Sequence, residues 1–182
     1  MARPMLDFDL LTAANFPFFE ADILRSEQLF PPDLRETSED YQVALASSHA
    51  LGLVARQGRV YVGNAVGFAP CPEQRAQLRL EHPRSSETEL IYLFNIVTLP
   101  DFQNRGYGRQ LLTEFCHRAR QTGFRKVGGH FRGNGSLKNF TVLGGRALAT
   151  CPDWFVTGEC FTYCELDLSI PPKTAPATEP AC

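Results

Sequence analysis

Six consecutive residues, Gln103, Asn104, Arg105, Gly106, Tyr107 and Gly108, have the types and spacing to hold an anion. Two glycines one residue apart let a backbone approach a ligand closely. A helix starting there adds unpaired N–H groups and the positive end of its dipole. The flanks supply that setting. Ahead of the turn, residues 90–98 read Leu-Ile-Tyr-Leu-Phe-Asn-Ile-Val-Thr, a nearly continuous apolar run that predicts a strand buried on both faces. Beyond it, Leu111, Leu112, Phe115, Cys116 and Ala119 recur at helical spacing, with Arg109, Gln110, Thr113, Glu114 and His117 among their polar complement. Strand, glycine turn and helix in that order make a cradle for a pyrophosphate, with an ordinary tight turn as the alternative. Gly106 and Gly108 lack the third glycine of a dinucleotide-binding fingerprint, and no P-loop sequence occurs.

The charge distribution points the same way. Between Gln103 and Arg146 stand nine Lys or Arg residues against one acid, Glu114, a local balance of +8 in a chain whose remainder carries −10. Such asymmetry in a near-neutral protein implies an anionic ligand on one side. The pI near 6.1 and the acidic remainder argue against a surface that tracks nucleic acid. Six cysteines (71, 116, 151, 160, 164 and 182) include no C-x-x-C pair, and no histidine stands at ligand spacing to them, so no metal site is expected. Cys160 and Cys164, four residues apart on one strand, are about 13 Å apart and too distant to bridge. They read as buried free thiols, except Cys182, which lies in the tail.

The elements that must position the turn can be read from pattern. Residues 5–10 predict a first strand, and Pro17 opens a helix to about residue 29 that Pro31 and Pro32 end. Thr37 or Ser38 caps a short helix over 39–46. Residues 51–56 and 59–68 form a hairpin over Gln57 and Gly58, 70–87 a polar loop, and 89–98 the central strand. Then follow a helix over 109–121, a strand over 125–132, a short helix over 135–143, and strands at 146–150 and 160–168. Local hairpins followed by alternating strands and helices give the expected fold class: α/β, one domain over 1–168 with a mixed, mostly antiparallel central sheet flanked by helices. Residues 169–182, with four prolines and no aromatics, are expected to be a disordered tail. No apolar run is long enough for a membrane span and no signal peptide is evident at residues 1–5, so a cytoplasmic location is expected.

The stretch from Leu93 to Leu112 resembles the coenzyme-A motif of the GNAT superfamily of N-acetyltransferases. That motif runs Gln/Arg-x-x-Gly-x-Gly/Ala, often with a proline three residues earlier, and Gln103, Gly106, Gly108 and Pro100 fall in register. The ribosomal-protein N-terminal acetyltransferases share the Leu-Phe-Asn-Ile opening. The resemblance implies a GNAT-like fold with splayed central strands, acetyl-CoA as cosubstrate, and a homodimer as a possible assembly. It places the amides of Ile96, Val97 and Thr98 against the acyl and pantetheine groups, and those of Asn104, Arg105, Gly106, Tyr107, Gly108 and Arg109 on the diphosphate. Asn134 matches a further family asparagine.

Three family positions depart from the pattern, the first being the phenylalanine after the family glycine, which is Arg146 here. The tyrosine that follows the asparagine by seven residues is Thr141 here, and the glutamate that serves as base in the ribosomal-protein enzymes is Gly129. His130, next to it, would serve only if a bulge turned it to the same face. A primary ammonium, with a pKa near 10.4, needs a base more than a thiolate needs an acid. Glu89, at the mouth of the central strand, is the candidate base, with Glu81, His82 and Glu87 behind it, and Thr141 is the candidate on the thiol side. Three functions follow: an acetyltransferase for a small-molecule amine, a peptide or ribosomal-protein N-terminal acetyltransferase, and a non-catalytic acyl-CoA-binding module.

Overall fold

The computed structural model describes residues 6–47, 49–80, 89–133 and 135–169. In chain order the elements are β1 (Asp7–Leu11), α1 (Phe16–Glu27), α2 (Ser38–Ala46), β2 (Leu51–Gln57), β3 (Val60–Phe68), α3 (Pro72–Gln77) and β4 (Leu90–Thr98). After these come α4 (Tyr107–Gln121), β5 (Lys126–Arg132), α5 (Gly135–Val142), β6 (Arg146–Cys151) and β7 (Phe161–Asp167). The strands form one sheet in the order β1-β2-β3-β4-β5-β7-β6. Every neighbouring pair is antiparallel except β4 and β5, which run parallel.

Side chains alternate across the sheet, as a period of two requires. Leu53, Ile91, Leu93 and Phe131 face α4 and α5, where they meet Leu111, Phe115 and Phe140. Val54, Leu90 and Tyr92 face the other way, onto Phe16, Ile23 and Tyr41 of α1 and α2. Phe115 is fully buried at the centre of the first layer, and a side chain of that size contributes about 1.5–3 kcal/mol by leaving water. Helix α4 packs against β2, β3, β4 and β5, so it spans the middle of the sheet.

That middle is where the sheet opens. β4 and β5 pair over Leu90↔Lys126, Ile91↔Val127 and Tyr92↔Gly128 and then part. Past Tyr92, β4 keeps its pairing with β3 up to Thr98 while its other edge faces a gap. β3 comes close on the paired side because Gly63 has no Cβ, which would collide with the Val97 carbonyl oxygen.

The sequence expectations hold for fold class and element order, with three corrections. The segment expected as a polar loop contains α3, a short helix with Pro72 in its first turn. Helix α4 begins at Tyr107, two residues before the expected start, because Gly106 itself is the N-cap. Cys71 and Cys160 are exposed and, among the described residues, only Cys151 and Cys164 are buried, since both exposed thiols lie just outside an element rather than in one. The tail beyond Ser169 and the candidates Glu81, His82 and Glu87 lie outside the described residues. Among the described residues no helix is long and apolar enough to cross a membrane.

Candidate functional site

Gly106 sits at φ 81°, ψ 4°, left-handed backbone that an L side chain resists. Asn104 is left-handed too, at φ 59°, a conformation Asn tolerates. These two reversals turn the chain from the end of β4 into α4. No side chain caps α4, and its first turn carries no acid. Its leading N–H groups, which lack intrahelical partners, therefore point outward with the positive end of the helix dipole behind them. The side chain of Gln103 ties the turn back to the strand, donating from Nε2 to the Thr98 carbonyl at 2.9 Å.

A cavity of about 540 Å³ lies over this helix start. Ile96, Val97 and Thr98 line it from the open edge of β4, and Gln103, Asn104, Gly106, Gly108 and Arg109 from the turn and α4. Lys138 and Asn139 of α5 close the far side. Two expected residues do not line it. Tyr107 is buried, its ring 6.2 Å from that of Phe102, and the Arg105 guanidinium lies 5.9 Å from the same Phe102 ring. Asn134 lies outside the described residues. An anion with a long flexible arm fits this cavity: phosphates at the uncapped helix start, and the arm along the free edge of β4.

A second cavity, of about 620 Å³, opens on the α1/α2 side of the same gap. Ile96 and Ser136 line both cavities, so the two meet where β4 leaves β5. One wall of the second cavity is aromatic, with Tyr92, His130, Trp154 and Phe155; the other is acidic, with Asp33, Glu36, Glu39 and Asp40. Val156 and Phe155, at φ 61° and 50°, hold the rim in left-handed backbone, with Asp153 at φ 55° before them.

Beneath the acidic wall runs a buried polar network. The Glu27 carboxylate is 1% exposed and accepts from Tyr41 Oη (2.6 Å), from Asn95 Nδ2 (2.8 Å) and from the Glu36 backbone N–H (3.0 Å). Asn95 Oδ1 in turn accepts from Asn64 Nδ2 at 2.9 Å, and Asn64 Oδ1 accepts from Tyr61 Oη at 2.5 Å. Burial raises the Glu27 pKa even against these donors. Glu36 is raised to about 7, by burial first and then by the charges of Asp40 and Glu27. His130 is lowered to about 3 by burial and by Arg79. Its Nδ1 lies 3.1 Å from Tyr92 Oη, its ring stacks on Trp154 at 3.7 Å, and its Nε2 is buried without a partner.

The structure does not bring Glu89 or Thr141 to either cavity. Glu89 precedes β4 at the end where β4 and β5 are still paired, and it forms an ion pair with Arg125 at 3.3 Å. The site is at the opposite end of that strand. Thr141 directs its hydroxyl into its own helix, donating to the Leu137 carbonyl at 2.9 Å. His130 does reach the second cavity, and without a bulge: β5 and β7 stay in register through His130↔Tyr163, and the parting of the strands exposes that face.

Sequence reading missed Glu27, Glu36, Asn64 and the cavity they support. A signal existed for part of it. Glu27 stands four residues after Ile23, on the buried stripe of α1, and Asn64 and Asn95 interrupt otherwise apolar strands. Polar groups at core positions imply partners. Among the described residues no group of three or more His, Cys, Asp or Glu could hold a metal ion.

The model of the acetyltransferase (GNAT) family matches residues 18–134. No curated protein sequence matches. Among solved structures, the ribosomal-protein-S18-alanine N-acetyltransferase from Escherichia coli superposes with a TM-score of 0.68 at 16% identity, over 94% of this chain and 99% of that one. A Bacillus subtilis acetyltransferase in complex with CoA superposes with a TM-score of 0.63 at 17% identity, over 90% and 99% of the two chains. At these identities the likeness is one of fold.

Proposed function

Because this chain belongs to the acetyltransferase (GNAT) family, we propose that it moves an acetyl group from acetyl-CoA to a primary amine of a small molecule by direct attack on the thioester. The observation that carries this reading is the junction at Ile96, where a cavity over an uncapped, acid-free helix start meets one with acidic and aromatic walls. The residues present suit coenzyme A. Amides from Asn104 to Arg109 would hold the diphosphate, with Gly106 supplying the left-handed turn, and the edge of β4 at Ile96, Val97 and Thr98 would hold the pantetheine and acyl amides. Coenzyme A supplies the activated acetyl group. The chain's part is to fix that group in the strand gap, exclude bulk water and bring the amine to it, and alignment of this kind can supply several kcal/mol of the barrier.

The acceptor cavity supports a small molecule over a polypeptide. It is a bounded space of about 620 Å³ between the α1–α2 segment and the Trp154–Phe155 rim, within the volume range typical of small-ligand sites. Thiol release from acetyl-CoA over a panel of primary amines, with peptides carrying a free N-terminus in the same panel, tests the reading. Turnover with small amines above the peptides is the expected result. Faster turnover with the peptides would make it an N-terminal acetyltransferase. Coenzyme A binding with no turnover on any acceptor would leave a non-catalytic binding module.

A further inference from the structure

We infer that Glu36 is the residue that receives the ammonium group of the acceptor and removes its proton. The inference rests on the amine acetyltransferase reading above and assigns to that site the group it needs. Glu36 lies between a single 3-10 turn (Pro32–Leu34) and α2, and it lines the acceptor cavity. Its position is fixed from below. Its backbone N–H donates to Glu27, the same carboxylate accepts from Asn95, and Asn95 adjoins Ile96, where the two cavities meet.

No cation is paired with the Glu36 carboxylate among the described residues. The charges of Asp40 from α2 and Glu27 from α1 act on it, and Asp33 from the 3-10 turn and Glu39 from α2 line the same cavity. From the sheet come the Tyr92 hydroxyl and a neutral His130. The two guanidinium groups of the cavity have other partners: Arg35 Nε donates to the Phe30 carbonyl at 2.9 Å and its charge acts on Glu27, and Arg132 lies 5.6 Å from the Phe30 ring and 3.8 Å from Glu159. The cavity carries four carboxylates, Asp33, Glu36, Glu39 and Asp40, against two guanidinium groups, and that excess of negative charge is complementary to an ammonium.

Glu27 is disqualified by its partners and His130 by its burial. Glu27 has both oxygens occupied and is 1% exposed. His130, held near 3 by burial, is a weak base at neutral pH. Glu36, raised to about 7, exchanges its proton in the range where a base works best. The step balances as follows. The Glu36 carboxylate takes one proton from R–NH₃⁺, and the freed amine attacks the thioester carbon. The C–N bond forms, the C–S bond breaks, and the second nitrogen proton neutralises the departing thiolate. The protonated Glu36 then loses its proton to solvent.

The test uses the whole protein and two variants, Glu36→Gln and Glu36→Asp. In Glu36→Gln, kcat/KM falls by about a hundredfold, coenzyme A affinity is unchanged, and the acidic limb of the pH profile near pH 7 disappears. Glu36→Asp keeps that limb at reduced rate. Wild-type rate and pH profile in Glu36→Gln overturn the inference while leaving the acetyltransferase reading intact. A second readout is independent of turnover. Calorimetric titration of phenethylamine at pH 7, in buffers of different ionisation enthalpy, detects the proton that Glu36 loses as the cation arrives. Release by the wild type and not by Glu36→Gln supports the inference even if no acceptor is turned over. Equal release from both proteins sinks it.

Discussion

The starts of α2 and α4 face the two halves of one site and are finished in opposite ways. At α2, the Thr37 hydroxyl accepts from the Asp40 N–H, the Asp40 carboxylate accepts from the Thr37 N–H, and Glu39 adds a second acid. Every feature there neutralises the helix end from within the chain. At α4 the cap is a glycine with no side chain, and the first turn has no acid. The first end is finished and the second is left open, where the proposed coenzyme would bind. More broadly, the cofactor half is a backbone surface shaped by two left-handed residues, whereas the acceptor half is held by buried side chains hydrogen-bonded across α1, β3 and β4. Side-chain substitution should therefore damage one half and be tolerated in the other.

The largest separation is expected at Asn64. Asn64→Leu removes a fully buried amide and strands the Tyr61 hydroxyl and Asn95 Oδ1. Denaturant unfolding should show a loss of roughly 3 kcal/mol, while coenzyme A affinity in the folded protein changes less than about twofold. A large loss of affinity would mean the halves are not separate. Gly106→Val is the converse. A β-branched residue at φ 81° strains the turn, so coenzyme A affinity should fall at least about tenfold, with a folding cost of only about 1–2 kcal/mol. An unchanged Kd would remove the helix start from the cofactor site.

Smaller effects sharpen the contrast. The folded pKa of Glu36, about 7, lies above its ordinary value of 4.5, so the stability associated with this group is fully present below about pH 4.5 and is lost as pH rises through 7. His130, lowered to about 3, acts in the opposite sense and loses stability as pH falls through its ordinary range. Only the difference between proteins isolates Glu36. The Tm of wild type should fall relative to Glu36→Gln between pH 5 and 8, and parallel curves would show that the carboxyl is not raised. Least of all, Arg105→Ala should change coenzyme A affinity less than about threefold, because the guanidinium lies against Phe102 and the proposed contact with phosphate is through backbone.

The proposed cofactor half is legible in the sequence because it is contiguous. Strand, turn and helix follow one another between Leu90 and Gln121, and glycine spacing, apolar periodicity and charge all report on the same stretch. The acceptor half is not. Glu36, Asn95, His130 and Trp154 come from four separate segments, and only the fold sets them around one space. Glu89 drew notice because it borders the central strand in sequence, but a strand has two ends and the gap is at the other one. Thr141 occupies the family's tyrosine position by count, yet a threonine in a helix can satisfy itself on the preceding turn, and this one does.

The three-pair contact between β4 and β5 also sets how the molecule bears load. Every other junction in the sheet has five or more residue pairs, so in a pull across the sheet, from β1 to β6, the junctions act in series and the shortest one is the weakest link. The domain should first yield there, into a β1–β4 leaf and a β5–β7–β6 leaf joined through α4. Coenzyme A lying in that gap would bridge the leaves, and optical-trap records should show the first rupture shifted to higher force when it is bound. The gap proposed to admit the substrates would thus also be the molecule's line of fracture, and the ligand would reinforce it.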